Sequence, residues 1–238
     1  MVPRRPSPTR RWLTAATWPV GIVLTSWGYM WRSTPLHRQE TLEPSADGHI
    51  PPPFPSGPVA TEVLTVYDGS GPLFHRHYST QIRESSLTAD ELFATVTENL
   101  NRAAPTKFAR FQRVLGDDDT LALGDEYVVR MPGPWDGPVR VIDRTPRAFR
   151  LATLEGHLEA GQIEFRVTDG DLMTFEIESW ARSSNPYSNL LYHHVRMAKE
   201  VQLHMWISFL EGVVNVSGGR MTGGITIDTR RVEDGFQS

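Results

Sequence analysis

Residues 126–165 read EYVVRMPGPWDGPVRVIDRTPRAFRLATLEGHLEAGQIEF. Apolar and polar residues alternate along Glu126–Met131, Val139–Asp143 and Phe149–Glu155, the period-two pattern of strands with one face on a core. Turn-rich separators such as Pro132-Gly133-Pro134 join neighbours as hairpins, which makes the sheet antiparallel. Two features exceed what a plain sheet needs: Trp135 between Pro134 and Asp136, and the turn Gly156-His157-Leu158-Glu159-Ala160-Gly161. Together they point to a curved sheet with a functional mouth.

The pattern extends in both directions. Upstream, Thr61–Tyr67 and Leu73–Arg83 read as strands around the turn cluster Asp68–Pro72. Thr88 and Glu91 form a capping box ahead of Leu92, Phe93 and Val96, opening a helix that ends by Pro105. Phe108–Val114 is another strand. Downstream, Gln162–Thr168 and Met173–Ala181 continue the sheet across Asp169-Gly170-Asp171. The longest helix follows, from about Pro186 to Val214, with Asn185 as its cap. Leu190, Leu191, Met197, Val201, Met205 and Phe209 lie close to one apolar stripe, and Ser217-Gly218-Gly219 stops the helix. The predicted class is α+β: a curved antiparallel sheet of about six to seven strands gripping a long C-terminal helix, with one shorter helix. Such a grip commonly leaves an apolar cavity between helix and sheet.

This domain is expected to span residues 61–217. Residues 33–60 are rich in proline, end in IPPPFPSGP and read as a linker. Residues 218–238 read as a tail with one short strand at Gly224–Asp228. Residues 1–32 carry Arg4, Arg5, Arg10 and Arg11, then Trp12–Trp31, twenty residues without a charge and with four tryptophans. That length suits a bilayer span, but Pro19 and Gly21 interrupt it. The segment admits three placements: a single span with its arginine-rich end in the cytoplasm, a Trp-rich interfacial anchor, or a segment packed on its own domain or a partner. Thr9-Arg10-Arg11-Trp12-Leu13 is similar to a twin-arginine signal, but no small-x-small cleavage site follows. The expected location is cytoplasmic, with residues 12–31 as a candidate membrane attachment.

Composition narrows the chemistry. The 238 residues contain no cysteine, which removes disulfides, thiol nucleophiles and thiolate metal sites. A net charge of -4 gives no basic field for nucleic acid, so no nucleic-acid partner is expected. The glycines form neither a dinucleotide fingerprint nor a phosphate loop, and no nucleophile elbow is present. No cofactor is expected. His193, Glu200 and His204 approach one helical face, but no recognised metal motif is present, and no metal is expected.

The residues Phe149–Gly161 (FRLATLEGHLEAG) with Glu164-Phe165 resemble the signature of a bacterial and plant family of unknown function. That family is placed in the START-like, polyketide-cyclase-like (SRPBCC) helix-grip superfamily. Glu126–Val141, Arg196–Trp206 and the leader WPVGIVLTSWGYMW with Thr34–Arg38 are similar to its longer bacterial members. The resemblance runs from Arg10 to about Gly219. Leu158 stands where other members often have proline. It implies the helix-grip fold and carries no established activity.

Three acidic or basic residues are candidates for acid–base work. His157 lies two residues from Glu159, on one face if the segment is extended, and Glu164 and Glu178, on later strands, could approach it. The competing reading has His157 and Glu159 cap backbone groups and hold the sheet's curve. One face of the later strand carries Glu176, Glu178, Trp180 and Arg182, either a solvated face or a ligand mouth with Arg182 as anion anchor. Candidate ligand-binding residues are Tyr127, Arg130, Trp135, Glu178, Trp180, Arg182, Met205 and Trp206. Within Phe74-His75-Arg76-His77-Tyr78 the two histidines share one face, read as a wet one. The expected function is a small-molecule module for a lipid, isoprenoid or polyketide-like ligand. The alternatives are an enzyme using His157 with a glutamate, and a membrane-associated interaction protein whose pocket is filled.

Overall fold

Alternation along the central strands decides which side chains meet the core, and the helices follow from it. The computed structural model describes residues 34–45, 47–106, 109–117, 120–131, 136–184 and 192–233, with backbone alone for 192–201. In chain order the strands and helices are β1 (Leu36–Glu43), β2 (Val63–Leu64), β3 (Ser70–Arg83), α1 (Ala89–Glu98), β4 (Arg110–Leu115), β5 (Glu126–Arg130), β6 (Asp136–Arg144), β7 (Ala148–Leu154), β8 (Glu159–Thr168), β9 (Met173–Ser183), α2 (Tyr192–Ser217) and β10 (Arg220–Val232). They form one sheet in the order β1-β10-β3-β9-β8-β7-β6-β5-β4, with β2 paired to β7 beside that path. The class is α+β, with a large curved sheet and two α-helices among the described residues.

The expected six to seven strands are corrected to ten. The Pro-rich segment contains β1, an edge strand parallel to β10 and exposed along most of its length. The C-terminal part, where one short strand was expected, is a 13-residue strand between β1 and β3. Its alternation is broken by Gly223 and Gly224, both at positive φ, where the register to β3 shifts between Thr222 and Ile225. A side chain on Gly224 would meet the Pro35 carbonyl oxygen at 2.3 Å, so the bulge is also where β1 docks. Further register shifts in β3, β4 and β6 bend the sheet.

The capping box opens α1 as expected: the Thr88 amide donates to Glu91 Oε2 at 2.8 Å, and the Glu91 amide to Thr88 Oγ1 at 3.3 Å. The start of the long helix, residues 185–191, lies outside the described residues. Its end matches expectation: Gly218 sits at φ 68, and the Gly219 amide donates to Ser217 Oγ at 3.0 Å. The helix covers the inner face of the sheet. There Phe149 stacks on Phe165 at 4.6 Å, and Phe165 meets Trp206 and Phe209, each at 5.4 Å. Each such ring, fully buried, contributes roughly 1.5–3 kcal/mol. No helix of the described residues is long and apolar enough to cross a membrane. Residues 12–31, on which the membrane expectation falls, lie outside those described.

The outer face is covered by the proline-rich segment. Proline has no N–H to offer, so this strap presents carbonyls, and the sheet supplies donors. Gln162 Nε2 donates to Pro52 O at 2.7 Å, Arg150 Nη1 to Pro53 O at 3.3 Å, and Arg140 Nη1 to Thr61 O. Arg182 donates to Val66 O at 3.1 Å and to Gly71 O at 2.8 Å. Arg140 is held in turn by the buried Glu126, at 2.7 Å.

Candidate functional site

Two polar constellations arise from the alternation, one on each face. On the outer face, β3 contributes His75 and His77, β9 Glu176 and Glu178, β8 Arg166, and β10 Asp228 and Arg230. Strand pairing sets His75 opposite Trp180 and Arg230, and His77 opposite Glu178 and Asp228. A cleft of about 240 Å³ opens there, lined by His75, His77, Arg166, Glu178, Asp228 and Arg230.

Each histidine leans on a carboxylate. His77 Nε2 donates to Glu176 Oε1 at 2.9 Å, and His75 Nε2 to Glu178 Oε1 at 2.8 Å, because an ionised carboxylate only accepts. His75 Nδ1 contacts Nδ1 of the strap's His49 at 3.1 Å, and its ring stacks on Trp180 at 5.1 Å. Arg166 reaches Glu176 at 3.0 Å, Glu164 at 2.8 Å and Glu178 at 3.6 Å. The His77 hydrogen bond, with help from Arg166, holds the Glu176 carboxyl down at about 2 against partial burial. Glu178 is also lowered: burial pushes it up, and the His75 bond with the nearby positive charges overcomes that push. Among the described residues no group of three His, Asp or Glu side chains is placed to hold a metal.

On the inner face, Arg76 follows Tyr78 and Ile82 in register, yet carries a charge where they carry apolar bulk. Its side chain is 9% exposed, its nearest carboxylate is Glu159 at 3.8 Å, and it lies over the Phe74 ring at 4.8 Å. Glu159 is engaged elsewhere, accepting from Gln202 Nε2 of α2 at 2.8 Å. One turn further along α2, Trp206 enters the aromatic core. At the far end of the same face the Arg113 guanidinium lies over the Tyr127 ring at 5.2 Å, and burial pushes the Tyr127 hydroxyl up to about 12.

The predicted residues scatter between these places. His157 Nδ1 accepts the Glu159 amide at 2.9 Å across the turn, and its ring packs on Gly137. Desolvation there holds its pKa below the usual histidine value, against the pull of Glu159. Glu159 turns to the inner face and Glu164 to the outer one, so the three acid–base candidates are not brought together. Tyr127, Met205 and Trp206 are buried on the inner side. Arg130 faces outward, paired with Asp136 and donating to Gln112 at 3.1 Å. Trp135 lies outside the described residues. Glu178 lines the outer cleft, Trp180 backs it through His75, and Arg182 is occupied by the Val66 and Gly71 carbonyls. Arg76, Arg166, Asp228 and Arg230 were not among the candidates. The alternation of β3 put the two histidines on a common face, but only the β3–β9 and β3–β10 pairings bring the carboxylates and arginines to them.

Among solved structures, three similar ones illustrate the range of likeness. Norcoclaurine synthase from Thalictrum flavum, in complex with dopamine and hydroxybenzaldehyde, is 12% identical over 61% of this chain and 89% of its own, with a TM-score of 0.41. A conserved protein from Geobacillus kaustophilus is 11% identical over 62% and 98%, with a TM-score of 0.40. Major latex-like protein 151 from Panax ginseng is 15% identical over 56% and 97%, with a TM-score of 0.36. Likenesses of this size carry no functional argument. No curated protein matches the sequence. Residues 65–210, more than half of the chain, match the family described as Domain of unknown function (DUF1990), and the chain belongs to that family.

Proposed function

We propose that this domain binds an apolar or amphipathic small molecule, of lipid, isoprenoid or polyketide-like kind, between the inner face of the sheet and α2. The observation that carries the reading is the make-up of that interior. Its aromatic wall of Phe149, Phe165, Phe175, Trp206 and Phe209 ends in a polar group formed by Arg76, Glu159 and Gln202. Binding sites for small molecules combine these two parts: apolar surface for most of the contact, and a few polar groups for orientation. Tyr127, Met205 and Trp206 supply apolar contact in this reading.

Native mass spectrometry of the gently purified full chain tests it, together with thermal shifts against a panel of amphipathic molecules. A retained low-mass species, or a rise in melting temperature with one ligand class, is the expected result. No bound species in repeated preparations, and no shift across the panel, would remove the binding reading.

A further inference from the structure

We propose that the ligand carries an anionic head group of the carboxylate class, and that Arg76 is its anchor; this rests on the binding reading above. A charge removed from water needs an opposite charge and hydrogen bonds. Two other buried arginines of this domain, Arg140 and Arg150, have both, and a third, Arg182, has hydrogen bonds. Arg140 is held by Glu126 and the Thr61 carbonyl, and Arg150 by Asp143 and the Pro53 carbonyl. Arg182 donates to the Val66 and Gly71 carbonyls.

Arg76 differs. Its side chain is more than nine-tenths buried, and no described residue accepts a hydrogen bond from it. Glu159 stands at 3.8 Å, close enough to balance the charge and too far to hydrogen-bond. Gln202 holds the second oxygen of that carboxylate at 2.8 Å, which keeps Glu159 from closing on the guanidinium. The described residues therefore leave a planar fork of donors open in a neutralised setting, and a ligand carboxylate matches that fork in two parallel bonds.

Direction follows from the helix. Gln202 marks the polar end, Trp206 lies one turn on, and Phe209, Leu210 and Val213 continue the buried surface. A ligand with its carboxylate at Arg76 has its apolar body running toward the C-terminal half of α2.

The test compares cis-parinaric acid with its methyl ester, titrated by fluorescence into the full chain. The two probes share an apolar body and differ in charge. The acid is expected to bind about tenfold more tightly or better, the worth of a charged hydrogen-bonded pair. Arg76→Met should bring that ratio to about one, chiefly through loss of acid affinity. Glu159→Gln keeps the guanidinium and removes the competing carboxylate, so acid affinity should rise several-fold with the ester unchanged. Equal affinities for acid and ester in the wild type would overturn the proposal. So would an acid preference that survives in Arg76→Met, or a Glu159→Gln variant that weakens acid and ester alike. If neither probe binds the wild-type chain, the binding reading itself fails, a result distinct from lost discrimination.

Discussion

Removing the charge of Glu176 should uncover an acid-sensitive brace on the outer face. The carboxylate accepts from His77 at 2.9 Å and from Arg166 at 3.0 Å, and its side chain is 18% exposed. Its pKa is held at about 2 rather than 4.5. At about 1.4 kcal/mol per pH unit that difference is on the order of 3 kcal/mol, and partial solvent screening brings it nearer 2 kcal/mol. The folded value lies below the unfolded one, so on acidification the unfolded chain takes up the proton first. The stabilisation is thus complete above about pH 4.5 and disappears as pH falls toward about 2. Glu176→Gln keeps the shape and one acceptor but loses the charge. Urea unfolding of both proteins at pH 7, 5, 4 and 3 should show the variant about 2 kcal/mol weaker at pH 7, with the gap narrowing steadily below 4.5. His77→Phe should shrink the gap beforehand, because the two side chains act as one unit. A gap that stays constant between pH 5 and 3, or no gap at pH 7, would refute this account of the brace.

Gly212→Ala should cost more than about 2 kcal/mol in denaturant unfolding, since its new methyl would sit 2.0 Å from the Ala103 carbonyl oxygen. Raised to about 12 by burial, Tyr127 stays neutral in the fold while the unfolded chain ionises from about 10. Stability should therefore fall as pH rises between those values, and Tyr127→Phe should flatten that alkaline limb. His157 has a lowered pKa, so the unfolded chain binds the proton more readily and stability should decline as pH drops below about 6.5. His157→Asn, which retains an acceptor for the Glu159 amide, should remove that slope and keep most of the stability at pH 8, whereas His157→Ala should lose about 1 kcal/mol there. His49→Ala should speed hydrogen exchange of the strap amides at residues 47–50 and leave α2 unaffected.

What was legible in this sequence depended on whether one face of an element is dry. β7 and β9 alternate because their inner residues enter the aromatic core, and α1 announced itself through Thr88 and Glu91. β10 hid because its outer residues, Asp228 and Arg230, are polar and paired, and because Gly223-Gly224 breaks its period. β1 hid because an edge strand joined by backbone bonds needs no apolar side chains. The prolines of the strap read as those of a linker. Yet a segment that cannot donate can still be held through its carbonyls, and those donors sit on strands some 80 to 116 residues away. The same limit governs the candidate sites. Spacing placed His157 and Glu159 on one face, which is true of an extended strand and fails where Gly156 and Gly161 take positive φ. There the imidazole caps an amide, and the carboxylate is released to meet Gln202 and stand beside Arg76. An interior arginine on a strand that otherwise alternates cleanly is the signal that was available: Phe74, Arg76, Tyr78 and Ile82 share a face, and only one of them needs a charged partner.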